Sequence, residues 1–328
     1  MRVVANDECP ALAIKAVRHA EARTEVGIQQ RSLISHKRIV VVVLALLLAI
    51  AAGMLAWRFS AQAAPPSFAA TGVFPQPPQK DRAVVWAVGD GADGSETAGR
   101  LAAQIARTRF DRLLYLGDVY ERGTASEFRS NYAPSYGRMR AKTWPTPGNH
   151  DWPRHAQGYD PYWAHVAGGR PPTWYGETVA GWQVISLNSE EPHTAGSPQG
   201  RWLKRQLRRP GTCRLAFWHR ARYSAGLHGD QEDIAPLWDA LRGHAAIVVN
   251  GHDHDMQRLR PIDGITEFVT GAGGRELYNV DESDPRLAFA NDRSFGALRL
   301  ELRRGVARYA FVALGGRVLD SGTIRCRP

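Results

Sequence analysis

Five apolar stretches of this chain stop in the same way, and that repetition limits the fold more than any other feature. AVVWAV runs into Gly89-Asp90, RLLYL into Gly117-Asp118, WQVISL into Asn188, RLAFW into His219, and AIVVN into Gly251-His252. Apolar runs of this length ended by a turn signal predict buried strands. Ser95 to Thr108, Pro198 to Arg208 and Gln231 to Leu241 read as helices between several of them, with Ser95 placed as an N-cap. Such alternation predicts an α/β domain. Further on, ITEFVT, GALRLEL and VARYAFVAL follow with little helix between them, which predicts a second, more antiparallel sheet. Two sheets packed face to face with helices outside is the expected architecture.

Nearly every predicted strand ends in a residue type that binds metal. Asp90, Asp118, Gly148-Asn149-His150, His219 and Gly251-His252-Asp253-His254 are far apart in sequence, but all sit just past a strand. Loops at strand ends converge on one rim of an α/β sheet. A lone Gly-Asp or His at such a place is more often a turn residue or a satisfied core group; the series closing on GHDH is the signal. Carboxylate, amide oxygen and imidazole without thiolate suit two hard or borderline cations, and a carboxylate can bridge them.

The ordered series GDG, GDVY, GNHD, a strand ending at His219, and GHDH resembles the calcineurin-like metallophosphoesterases, and most of all their purple acid phosphatase branch. The resemblance covers residues 89–254. It implies a four-layer α/β/β/α sandwich of two mixed sheets that hydrolyses phosphate esters by attack of a metal-bound hydroxide. Phosphomonoesters are the expected substrates, with phosphodiesters of nucleotides or lipid head groups as the alternative. A non-catalytic binding module on the same scaffold is the reading from another class. The implied cofactors are two divalent or trivalent ions, Fe with Fe, Zn or Mn. Carried over by motif, Asp90, Asp118 and His254 would hold one ion and Asp118, Asn149, His219 and His252 the other. His150 would then stand beside the substrate as a stabiliser or general acid. His228, in YSAGLHGD, is either a second phosphate-facing imidazole or a surface histidine.

Two departures from the family pattern matter. Asp90-Gly91-Ala92 lacks the imidazole of the common Asp-x-His motif, so another ligand is needed. Purple acid phosphatases supply a tyrosine three residues after the bridging Asp, whereas Tyr120 follows Asp118 by two. Tyr120 is therefore a ligand through an altered loop or a core tyrosine. Arg220, where similar bacterial sequences often carry a second His, either binds phosphate or faces solvent. Gly271-Ala272-Gly273-Gly274-Arg275 lacks the Lys-Ser/Thr ending of a phosphate-binding loop and reads as a loop near the site's rim.

Before the domain, residues 39–57 carry no charge and are long enough to span a bilayer. Lys37 and Arg38 precede them and, after Arg58, no Lys or Arg occurs until Lys80, which predicts a cytoplasmic segment 1–38 and export of the residues beyond the span. Ala61-Gln62-Ala63 leaves open cleavage near Ala63 instead of a permanent signal anchor. Residues 58–80 read as a Pro/Ala-rich linker, and 81–328 as the catalytic domain. Export puts Cys213 and Cys326 in an oxidising compartment, where a disulfide is expected. The net charge of +10 is scattered, so a phosphate-ester substrate and the membrane are the expected partners and nucleic acid is not. Oligomeric state is not legible.

Overall fold

The computed structural model of the chain describes residues 74–75, 80–211 and 213–326. The predicted segments 1–38 and 39–57 lie outside these residues, as does most of 58–80. Among the described residues no helix is long and apolar enough to cross a membrane.

Two mixed sheets form the domain. The first has six strands in the order β13-β12-β11-β1-β2-β3, built from β1 (Arg82–Val88), β2 (Arg112–Tyr115), β3 (Thr143–Pro145), β11 (Gly296–Arg303), β12 (Val306–Ala313) and β13 (Val318–Arg325). The second has seven, in the order β10-β8-β9-β7-β6-β5-β4. Its members are β4 (Tyr175–Val179), β5 (Trp182–Ser186), β6 (Cys213–Phe217), β7 (Ile247–Asn250), β8 (Met256–Leu259), β9 (Thr266–Thr270) and β10 (Leu287–Asn291). β1, β2 and β3 run parallel, as do β5, β6, β7 and β9.

One sequence expectation needs correction. The late strands do not make a sheet of their own. β11 pairs antiparallel with β1, so β11, β12 and β13 extend the sheet that the first strands began, while β9 joins the other sheet parallel to β7. Apolar periodicity cannot choose a partner strand, because the choice lies in long-range pairing rather than in local pattern.

Residue alternation decides what each face of the second sheet meets. Leu215 and Phe217 of β6 and Ile247 and Val249 of β7 join the core that also contains β1, β2 and β11. Ala216 and Val248, pointing the other way, pack with Trp202, Leu203 and Leu207 of a helix at Pro198–Leu207 and with Leu237, Trp238 and Leu241 of one at Ala235–Leu241. The helix Glu96–Ala106 connects β1 to β2 and buries Leu101 and Ile105 against the first core. Ser95 caps it as expected, its side chain accepting from the Ala98 N–H at 3.1 Å.

Cys213 and Cys326 form a disulfide, with their Cα atoms 5.7 Å apart. It ties the start of β6 in one sheet to the residue after β13 in the other. Closing a loop of 113 residues is worth about 4–5 kcal/mol in the chain-entropy account. Phe74, inside the expected linker, is buried against Trp163 and Tyr175, so at least this residue packs on the domain.

Candidate metal centre

Parallel strands bring their C-terminal ends to one edge, and the site lies there. Asp90 follows β1, Asp118 follows β2, Asn149 and His150 follow β3, His219 follows β6, and His252 and His254 follow β7. Asp90, Asp118 and His252 adopt positive φ angles of 59°, 65° and 72°. This left-handed region costs a residue with a Cβ roughly 1–2 kcal/mol, and strain of this kind clusters at functional sites. Glycines make room for the turns. A Cβ on Gly148 would stand 2.0 Å from Asp118 Oδ1, and one on Gly251 would stand 2.6 Å from Asp90 Oδ2.

Two sub-clusters result. In one, the Tyr120 hydroxyl lies 3.0 Å from Asp90 Oδ1 and 2.8 Å from His254 Nε2. In the other, His219 Nε2 faces Asn149 Oδ1 at 2.9 Å, His252 Nδ1 at 3.2 Å and Asp118 Oδ2 at 3.3 Å. Asp90, Asp118 and His219 link the two, each placing a ligand atom within 4.8 Å of the others.

The donor set fits cations. His219 Nδ1 donates to the Leu116 carbonyl at 2.7 Å, and His254 Nδ1 to the Glu276 carbonyl at 2.8 Å. Those bonds fix the tautomer and turn each Nε2 inward, as in metal-binding histidines. One Nε2 proton on His219 satisfies only one of its three close neighbours, whereas a cation satisfies all of them. The electrostatics carry the same strain. Burial raises Asp90 well above the usual carboxylate range despite the opposing His219 charge. Burial would raise Asp118 too, but the charge and hydrogen bond of His219, together with His150, outweigh it and hold that carboxyl below its usual range. Burial opposes a charge on His219, yet Asp118 and Asp90 push it up to about 10. His252 is pushed down to about 2 by burial and by the imidazoles of His219 and His228, and His254 down to about 4, chiefly by burial.

A comparison with protein families settles where this arrangement belongs. The family described as calcineurin-like phosphoesterase matches residues 83–256, more than half of the chain. The chain belongs to the calcineurin-like phosphoesterase family. Several solved structures share this phosphoesterase fold. GAP50, the anchor in the inner membrane complex of Plasmodium, is 15% identical with a TM-score of 0.62, covering 76% of this chain and 90% of that one. The purple acid phosphatase PPD1 of yellow lupin is 17% identical with a TM-score of 0.60, covering 77% of this chain and 55% of its own. A dimetal phosphatase from Danio rerio is 14% identical with a TM-score of 0.52, covering 74% and 98%. A comparison with curated protein sequences returned no match.

Asp90, Asp118, Tyr120, Asn149, His150, His219, His228, His252 and His254, the ligand and substrate-side candidates from sequence, all lie at the one site. His150 stands at its edge, its Nε2 3.9 Å from Asp118 Oδ2 and its Nδ1 donating to the Glu121 carbonyl at 2.6 Å. His228 is exposed but not a detached surface histidine, because its ring stacks on His252 with centroids 4.0 Å apart. Arg220 neither binds at the centre nor faces solvent freely. It is bound to Glu190 at 3.0 Å and to Asp233 at 2.6 Å, so those carboxylates occupy its fork.

Three functional residues escaped the sequence reading. Asp151 accepts N–H bonds from Asp118 at 2.8 Å, Gly148 at 2.9 Å and Val119 at 2.9 Å, clamping two ligand loops together. Asp253 does the same for the His228 loop, accepting the His228 N–H at 2.8 Å and the Ser224 hydroxyl at 2.5 Å. Both stood inside motifs already noticed, GNHD and GHDH, where their position was a signal. Tyr278 stacks on His254 with centroids 4.0 Å apart, and nothing in its sequence surroundings marked it.

Proposed function

We propose that the chain is a binuclear-metal phosphomonoesterase. The observation that carries the reading is the convergence of Asp90, Asp118 and His219 within 4.8 Å of one another, flanked by Asn149, His252, His254 and Tyr120. Bound cations would supply Lewis-acid polarisation of phosphoryl oxygens and acidify a water molecule. The protein's own part is to hold the substrate and manage the leaving group. His150, partly exposed and with Nδ1 fixed as a donor, presents Nε2 beside Asp118, where the imidazolium form would donate to a phosphoryl oxygen or pass its Nε2 proton to the departing alkoxide. His228 and Tyr278 pack against each other at 5.6 Å and cover His252 and His254 respectively. Asp118, reached by both His150 and His219, is the bridging candidate.

Tyr120 supports an iron-containing centre, since its hydroxyl stands where the Asp90-Gly91-Ala92 motif offers no imidazole. Iron-loaded protein should be coloured, and Tyr120→Phe should bleach it. Colourless wild type at full iron occupancy would count against tyrosinate ligation.

The deciding experiment is elemental analysis of the full chain together with hydrolysis of a monoester and a diester. Monoester turnover that vanishes with a chelator supports the reading; preference for the diester favours a phosphodiesterase. The likeness to GAP50, an anchor by its description, favours a non-catalytic scaffold as the second reading, and metal-replete protein inert toward both esters would establish it. Export and tethering through 39–57 are part of the same proposal, supported by the Cys213–Cys326 bridge. Export is to the periplasm or the exterior, so protease added to cells whose outer envelope has been opened should digest the domain, and full protection behind an intact cytoplasmic membrane would refute its export.

A further inference from the structure

The glycine-rich stretch ending at Arg275 supplies something other than a phosphate cradle. The Arg275 guanidinium pairs with Glu121 at 2.6 Å and with Glu276 at 2.5 Å, and lies over the Tyr120 ring at 5.0 Å from its centroid. Each of these three charged residues also holds a site residue through its main chain. The Glu121 carbonyl accepts from His150 Nδ1 at 2.6 Å, the Glu276 carbonyl accepts from His254 Nδ1 at 2.8 Å, and the Arg275 N–H donates to the Asp90 carbonyl at 3.0 Å.

We propose that Arg275 is a positioning residue, an ionic latch that joins the loop after Asp118 to the loop after β9 and thereby aims His150, Tyr120 and His254 into the site. An imidazole turns about two side-chain bonds, and the partner of its outer nitrogen decides where the inner one points. Here the partner carbonyls belong to the residues whose carboxylates Arg275 grips. Release of the guanidinium would therefore free both imidazole supports at once. The Glu121 and Glu276 side chains are 56% and 60% exposed, so each pair taken singly is weak and sensitive to salt. Consequence comes from geometry, because a small misplacement of a catalytic group is costly in rate.

The catalytic side of this inference rests on the phosphomonoesterase reading, so the test has a part independent of it. Full-length wild type, Arg275→Ala, Arg275→Lys, Glu121→Gln and the Ala/Gln double variant would first be compared free of metal by amide hydrogen exchange. Residues 120–123 and 271–278 should exchange about fivefold faster in Arg275→Ala, recover in Arg275→Lys, and leave the strands unchanged. With Mn(II), calorimetry should show ion binding weakened about tenfold in Arg275→Ala. Turnover of p-nitrophenyl phosphate should fall similarly while KM stays near wild type, and the double variant should be no worse than Arg275→Ala. Wild-type exchange in both loops of Arg275→Ala, or effects of the two substitutions that simply add, would overturn the latch. A wild type that binds no Mn(II) and hydrolyses nothing would instead overturn the phosphoesterase reading, with the exchange comparison still deciding the latch.

Discussion

Asp118 and His150 face each other across 3.9 Å, yet the Asp118 side chain is 2% exposed and that of His150 34%. The contrast extends to their surroundings. Around Asp118 the floor of the site is sealed and tied by main-chain groups: the His150 N–H reaches its carboxylate, Asp151 grips the loop beneath, and His219 is completely buried against the Leu116 carbonyl. At the rim, His150, His228 and Tyr278 are held chiefly by ring packing and single hydrogen bonds. A floor of this kind carries charge that nothing else nearby can replace. A rim of this kind can be altered while the floor stands, and the expected consequences of substitution divide accordingly.

Asp118→Asn should have the largest effect. It removes the charge both sub-clusters share while keeping the shape, and should lower turnover by about 1000-fold or more and reduce bound metal. Retention of full metal content and of even a tenth of the activity would break the distinction between floor and rim.

A buried carboxyl outside both floor and rim should announce itself in stability instead. Burial pushes Glu267, which accepts the Arg222 and Tyr223 N–H groups, up to about 8. With its folded value raised above the unfolded one, the unfolded chain releases this proton first as pH rises. Stability should therefore decline between about pH 4.5 and 8 and level off above, by on the order of 5 kcal/mol from this group. Denaturant midpoints across that range should slope downward in wild type and be flatter in Glu267→Gln. Parallel profiles would mean that Glu267 titrates normally.

At the rim, His150→Ala should slow turnover by about 100-fold with metal content near wild type. Loss of metal from this variant would move His150 into the floor. His228→Ala should be mildest, raising KM for a monoester by a few-fold, in line with an exposed group that packs on His252 from outside. An equal fall in kcat and kcat/KM, with KM unchanged, would give His228 a direct part in the chemistry.

Most of the floor was legible in the primary structure, because a strand ending in Gly and then a ligand type is a local pattern. Asp90, Asp118 and GHDH announce themselves in this way and His219 by directly ending an apolar run, so the β1, β2, β6 and β7 strands that carry them are legible too. The rim was less so. His228 had an ambiguous setting in YSAGLHGD, since whether a loop histidine meets the site depends on the route of the Ser224–His228 loop, which Asp253 ties down from a distant strand end. Arg220 failed the expectation for a similar reason: its carboxylate partners Glu190 and Asp233 come from two other loops.

Local order in the chain determined most of the longer strands, three helices, the ligand types and the family, because apolar period, caps and Gly-ligand corners act over a few residues. Cys213 and Cys326 were paired by their expected compartment, and the bridge is present. Tertiary structure alone decided that β11 to β13 complete the first sheet, that Tyr120 reaches both Asp90 and His254, and that Arg275 spans two loops. Each of these is a contact between groups far apart in sequence or aimed by a loop's path. Such contacts depend on how whole elements pack, and no short window of sequence contains that information.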